Sequence, residues 1–187
     1  MSTTYSRLDE KLVAFIKAQR MFFVATAPLS GEGSVNISPK GYDSFVVLGE
    51  RTVAYLDLGG SGAETMAHVG ENGRITLMFC AFEGAPNILR LYGRGRAVAF
   101  HEPEFADLLG HFPGFDRARA VIVVELTNIA DSCGWSIPFF EYKGERDQLK
   151  RWVEHRPFDD WAERRYAANA VSIDGLPALL RSGAGRP

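Results

Sequence analysis

The sequence predicts a mainly β (α+β) chain: an antiparallel barrel or sandwich with helices only at intervals and at the ends. Three observations predict it. Seven or eight β-rich runs follow one another along the chain. Turn clusters, not crossover helices, join most of them: Ser30-Gly31-Glu32-Gly33, Gly49-Glu50-Arg51-Thr52 and Glu83-Gly84-Ala85-Pro86. Helical periodicity is confined to the termini and to short interludes, whereas a parallel doubly wound sheet would place a helix after every strand.

The elements follow in order. Residues 6–19 are predicted helical, because Leu8, Leu12, Phe15, Ile16 and Gln19 recur at helical spacing and Ser6 with Asp9 resembles a capping box. Residues 21–27 form an apolar β-rich run, which the turn at 30–33 folds back into a strand at 35–41. Residues 45–48 and 53–58 make a second hairpin. Gly59-Gly60-Ser61-Gly62 then leads into a short helix over 63–69. Two long strands, 74–82 and 88–100, are followed by a helix at 102–112. A strongly β-branched strand covers 120–129 and another strand 136–142. The tail is helical and charged over 145–155 and 159–170, and residues 182–187 are expected to fray.

Bulk properties bound the function. With 187 residues, 46% hydrophobic content and 24% charged, the chain is expected to be one domain whose core needs no disulfide or metal staple. A net charge of −2 argues against nucleic acid as a partner. Cys80 and Cys133 have no metal-type spacing, so neither a zinc site nor a disulfide framework is expected, and a reducing compartment is the default. Residues 1–19 lack the apolar core of a signal peptide, and no apolar run is long enough for a membrane span. A soluble, cytoplasmic protein with no membrane partner is expected.

Candidate chemistry begins at Val35-Asn36-Ile37-Ser38-Pro39-Lys40-Gly41. Strand side chains alternate between faces, so Val35 and Ile37 point one way while Asn36, Ser38 and Lys40 point the other. Two neutral polar groups and a cation in a row can grip a flat, polar, anionic ligand; a solvated outer sheet face is the competing explanation. The glycines around Ser61 at a helix start, with Thr65 one turn on, can offer backbone N–H groups to a phosphate. Ser61 and Glu64 also form a capping box that would use those donors internally. Lys40, Arg90, Arg94 and Arg96 are the basic positions that could meet an anion; Arg90 shares its strand face with Tyr92 and is otherwise a solvated side chain with a snorkelling stem. Trp135, beside Gly134, could lie over a flat ring or pack in a core or dimer contact. Cys133 reads as a small buried filler. His68, His101, His111 and His155 are scattered, and no Ser-His-Asp order, nucleophile elbow, paired-carboxylate or P-loop motif occurs. Any enzymatic chemistry therefore falls to a cofactor, with no metal site expected.

Four segments in this order resemble the pyridoxamine 5′-phosphate oxidase-like flavoproteins. They are Phe23-Val24-Ala25-Thr26-Ala27, the Asn36-Ser38-Lys40 strand with its Ser-Pro-Lys-Gly element, Ile75-Thr76-Leu77-Met78-Phe79, and Leu89-Arg90-Leu91-Tyr92-Gly93-Arg94-Gly95-Arg96. The similarity covers about residues 8–142, leaving 143–187 as a helical extension. It implies a split β-barrel, a homodimer, and FMN at the subunit interface. By the same resemblance Lys40 reaches the flavin ring and substrate, and Asn36 and Ser38 line the isoalloxazine edge. The backbone at Leu56 and Asp57 runs beside the flavin, and Ser61, Gly62 and Thr65 hold the phosphate. Arg90 would touch ligand or a subunit interface, and Trp135 would come from the second subunit. Gly62 and Ala63 stand where vitamin-B6 oxidases place an Arg-Lys pair, so weaker FMN binding or a different flavin is expected. The expectation is an FMN-dependent oxidoreductase of unassigned substrate, not a pyridoxamine phosphate oxidase. The alternatives are a non-enzymatic flavin- or haem-binding protein of the same fold and a deazaflavin-dependent reductase.

Overall fold

A computed structural model describes residues 2–182. The fraying expected of residues 182–187 falls, from residue 183 on, outside the described residues. The strands are β1 (Thr3–Tyr5), β2 (Phe22–Thr26), β3 (Asn36–Lys40), β4 (Phe45–Gly49), β5 (Thr52–Asp57), β6 (Arg74–Cys80), β7 (Ile88–Ala99) and β8 (Ala120–Ser132). The helices are α1 (Glu10–Ala18), α2 (Glu64–Glu71), α3 (Phe105–Leu109), α4 (Gln148–Glu154) and α5 (Phe158–Asn169). The strands form one antiparallel sheet in the order β3-β2-β6-β7-β8-β5-β4, with β1 added beside β8. β3 and β4 are its two unpaired edges, and between them the barrel is split.

β7 and β8 are the spine, because they are long enough for two sets of neighbours each. The first half of β7 pairs with β6 and the first half of β8 with β5. β1 occupies the far end of β8, where β5 no longer reaches. A register shift between Tyr92 and Gly93 bends this pair. Gly93 is required there: a Cβ would lie 2.5 Å from the Glu125 carbonyl oxygen. Alternation then sorts β5 into two cores. Val53 and Tyr55 join the barrel interior with Leu77, Leu91, Ile122 and α2. Ala54 and Leu56 join a second cluster with Val98, Val121, Phe105 and Phe112.

Several elements differ from the sequence expectation. α1 starts at Glu10 and not at residue 6, since Asp9 is its cap and accepts the Leu12 N–H at 2.9 Å. α2 has no side-chain cap, so the capping box expected of Ser61 and Glu64 is not formed. α3 is a five-residue helix where residues 102–112 were expected to be helical; its flanks close into turns, with Gly110 at its end. Residues 136–142 form no strand. Pro138 has no N–H to give a ladder, and the segment's link to the sheet side is a single bond from the Phe140 N–H to the Phe82 carbonyl at 3.1 Å. β1 carries too few residues and too polar a composition to be legible.

The tail folds back onto the barrel. Trp161 of α5 is fully buried and meets Phe100 edge-on at a ring distance of 5.2 Å. Beyond α5, Ala178 and Leu179 bury against the barrel core. Among the described residues no helix is long and apolar enough to cross a membrane.

Candidate functional site

The Asn36-Ser38-Lys40 row faces inward. Its cross-strand partners on β2 are Thr26, Val24 and Phe22, all buried. Cross-strand partners share a face, so the apolar residues of β3 are the ones turned outward: Val35 is 76% exposed and Ile37 64%. The two-faced alternation read from the sequence is present, and the outer-face explanation of the polar row is not. The row sits at the sheet edge, where the interior gives way to α2 and to the loop after β5.

Its polar groups are already wired together. The Asn36 Nδ2 donates to Thr26 Oγ1 at 3.2 Å and to Thr65 Oγ1 on α2 at 3.1 Å. Ser38 Oγ donates to Asn36 Oδ1 at 3.1 Å. Thr26 Oγ1 lies 3.0 Å from Nδ1 of His68, which is fully buried. Burial holds the His68 pKa below its ordinary value, favouring the neutral ring. Thr26 Oγ1 accepts from Asn36 and shares one further hydrogen bond with His68 Nδ1. The Ser38 hydroxyl proton is spent on Asn36, so Ser38 presents oxygen lone pairs to a ligand.

At the other end of the row, Lys40 Nζ lies 3.9 Å from Asp57 Oδ1. Asp57 Oδ2 accepts from Arg119 Nη2 at 2.7 Å, and both side chains are almost fully buried. Burial alone would raise the Asp57 pKa, but Arg119 first and Lys40 second outweigh it and bring it to about 2. The carboxylate is thus permanently ionised at neutral pH.

Asp57 ends β5 and opens the loop. Gly59 takes φ +84°, which turns the chain sharply and brings it against Arg165. The next three carbonyls all point inward to buried donors. Gly60 O accepts from Arg165 Nη1 at 2.9 Å and from Asn169 Nδ2 at 3.3 Å. Ser61 O accepts from Asn169 Nδ2 at 3.4 Å, and Gly62 O from Arg119 Nη1 at 2.8 Å. In a trans peptide the N–H points opposite to the C=O, and the described chain has no cis bond. The N–H groups of Ser61, Gly62 and Ala63 therefore point outward. Among the described residues they have no hydrogen-bond partner, and Ser61 and Gly62 are exposed. Consecutive outward N–H groups at a helix start, backed by two guanidinium groups, are an anion-receptive arrangement. One acid adjoins it: the Glu64 carboxylate folds back over Gly62 while its Oε1 accepts the Ile173 N–H at 3.2 Å.

Asn36, Ser38, Lys40, Asp57, Ser61, Gly62 and Thr65 are thus brought to one region. Leu56 is 1% exposed in the second core, and its N–H is committed to Ser44 O at 2.8 Å, so it offers no free group. Arg90 is not with them: it stands on the outer sheet face opposite Met78, and its Nη1 donates to Ser132 Oγ at 2.9 Å. Trp135, 85% exposed, lies beyond β8 and likewise does not join the row. Cys133, expected to be buried, is exposed because the chain leaves the sheet there; Cys80 is the buried thiol. The sequence reading missed Arg119, Arg165 and Asn169. A cation heading the apolar run Ala118-Arg119-Ala120-Val121 was a signal for the first; the other two look like ordinary positions on a solvated helix. Beside Phe22, the partner of Lys40, lies a cavity of about 810 Å³ whose walls include Phe45, Phe79, Tyr42, Arg20 and Glu145.

The strand order is that of an antiparallel split barrel, the fold expected from the resemblance. The pyridoxamine 5′-phosphate oxidase family model matches residues 8–133, more than half of the chain. A relative from Aspergillus flavus, the pyridoxamine 5′-phosphate oxidase family protein ustO, is 35% identical over 96% of this chain and 78% of its own. The chain belongs to the pyridoxamine 5′-phosphate oxidase family. Among solved structures, HupZ of Group A Streptococcus is similar in fold, with a TM-score of 0.52 at 20% identity over 65% of this chain and 91% of that one. A candidate pyridoxamine 5′-phosphate oxidase from Lactobacillus delbrueckii has a TM-score of 0.51 at 15% identity over 67% and 97%. The ustO match spans the tail, so that relative carries a counterpart of α5.

Proposed function

We propose that the chain is an FMN-binding oxidoreductase acting as a homodimer, with the flavin held between the β3 row and the Gly60–Gly62 loop. The observation that carries the reading is the set of outward N–H groups of Ser61, Gly62 and Ala63 above Arg119 and Arg165. This donor set suits a phosphate dianion, and it replaces the Arg-Lys pair whose absence the sequence made conspicuous. Thr65 adds a hydroxyl beside the same helix start. When bound, FMN supplies hydride or electron transfer at its N5 position.

The residues divide the remaining work. Ser38 offers an acceptor and Asn36 fixes its direction, an arrangement that orients a flat ring with an imide N–H. Lys40 supplies positive charge that favours a reduced, anionic ring. Asp57 keeps Lys40 reaching inward and is itself held ionised by Arg119. The cavity beside Phe22, the cross-strand partner of Lys40, gives a substrate an aromatic floor. Arg90 and Trp135, remote from the row in one protomer, would in the dimeric reading contribute from the second copy.

The purified protein should be yellow, or should quench flavin fluorescence in a titration with micromolar FMN. Absence of both would defeat the proposal. Sedimentation should report twice the chain mass.

A further inference from the structure

We propose that helix α5 is a positioning element of the anion site, in which Arg165 and Asn169 hold the Gly60–Gly62 loop so that it selects a phosphorylated flavin over its dephosphorylated form. The inference rests on the flavin reading above and extends it to the C-terminal tail.

The carbonyl geometry is the first support. Gly60 and Ser61 lie 105 and 108 residues from their partners Arg165 and Asn169, so nothing local dictates the bonds. Were the two carbonyls to turn outward, the N–H groups of Ser61 and Gly62 would turn inward with them. The loop would then present oxygen lone pairs to an anion. Arg165 and Asn169 are themselves fixed. Arg165 is 8% exposed, its guanidinium lies 4.6 Å from the Trp152 ring centre, and its Nη1 lies 3.4 Å from Asn169 Oδ1. Asn169 is fully buried.

Charge is the second support, and it is independent of the first. Two buried guanidinium groups, Arg119 and Arg165, back the loop against one buried carboxylate, Asp57, which Arg119 and the part-exposed Lys40 already share, while the Glu64 carboxylate over Gly62 is bonded to the Ile173 N–H. Among the described residues Arg165 has no acidic partner within ion-pair distance. Arg119 and Arg165 each also keep a buried Nε–H without a partner. Excess buried positive charge is costly unless an anion neutralises it. A monophosphate on the outward N–H groups would supply that neutralisation.

A merely structural tail would lower stability without changing which flavin is preferred. The test therefore compares FMN with riboflavin, which share the ring system and differ in the phosphate. Wild-type protein, Arg165→Met, Arg165→Lys and the surface control Glu163→Gln are titrated with both ligands. Arg165→Met keeps an unbranched apolar chain in the buried site but removes the guanidinium that lies over Trp152. We expect it to lose at least about tenfold in FMN affinity, as charge-assisted bonds are the stronger class, with riboflavin affinity changed less than about twofold. Arg165→Lys keeps the charge but not the fork, and should fall between. Should Arg165→Met not fold, Arg165→Lys carries the comparison alone. An unchanged FMN-to-riboflavin ratio in the Arg165 variants overturns the inference and leaves the flavin reading standing. Failure of the wild type to bind either flavin overturns both.

Discussion

Asp57 sets the charge balance of the site. Its folded pKa of about 2 lies below the ordinary carboxylate value because of Arg119 and Lys40. A depressed carboxylate pKa contributes stability that is complete above the unfolded value and disappears as pH falls through the folded one. That window runs from about pH 4 to about pH 2, and the contribution is about 2 kcal/mol. Asp57→Asn should remove this part of the acid limb in urea unfolding measured against pH. It should also cost about 3–5 kcal/mol at neutral pH, because Arg119 is left buried without its partner. Glu64 acts in the opposite sense on ligand. Its carboxylate over Gly62 opposes an incoming phosphate, so Glu64→Gln should tighten FMN about two- to tenfold and leave riboflavin unchanged. Calorimetric titration with the two ligands reads both outcomes.

Among the elements, β3 shows how far a pattern carries. Alternation at 35–40 separated the polar from the apolar side chains, since period two is a property of any strand. It did not say which face was inside. That depended on β3 becoming an edge strand whose inner face meets α2 and the loop after β5, which leaves Val35 and Ile37 exposed and the polar row wired to Thr65 and Asp57. Lys40→Met should then weaken FMN by about tenfold and lower the flavin midpoint potential, because positive charge beside a reduced anionic ring is lost. Spectroelectrochemical titration of the two proteins checks this. The strand expected at 136–142 shows the converse: β-propensity without a ladder partner, interrupted by Pro138, left an exposed segment.

Across the whole molecule, the tail joins the barrel to the site. Trp161 packs on Phe100, while Arg165 and Asn169 from the same helix reach the loop between β5 and α2. Deletion after Tyr142 should therefore yield insoluble or monomeric protein, and any soluble fraction should bind FMN weakly. A soluble truncated dimer with unchanged FMN affinity would contradict this role of the tail. The family model matches residues 8–133, whereas the 35% identical relative is aligned over 96% of the chain.

Hairpin turns, β-branched runs and period-two alternation are local, and they determined an antiparallel barrel or sandwich, most of its strands, the Asn36-Ser38-Lys40 row and the glycine loop from residue types alone, while the split barrel came from the family resemblance. The partners of that loop were decided only in three dimensions. Arg119 stands at the start of β8 and Arg165 on a helix more than a hundred residues away. The apolar run that Arg119 heads is a faint local mark of its burial; Arg165 carries none, since an arginine on a helix is ordinarily solvated. Packing of α5 against Phe100 removed Arg165 from water and set its Nη1 against the Gly60 carbonyl of the loop. The sequence thus left the loop short of cations, and the tertiary structure supplied them from behind.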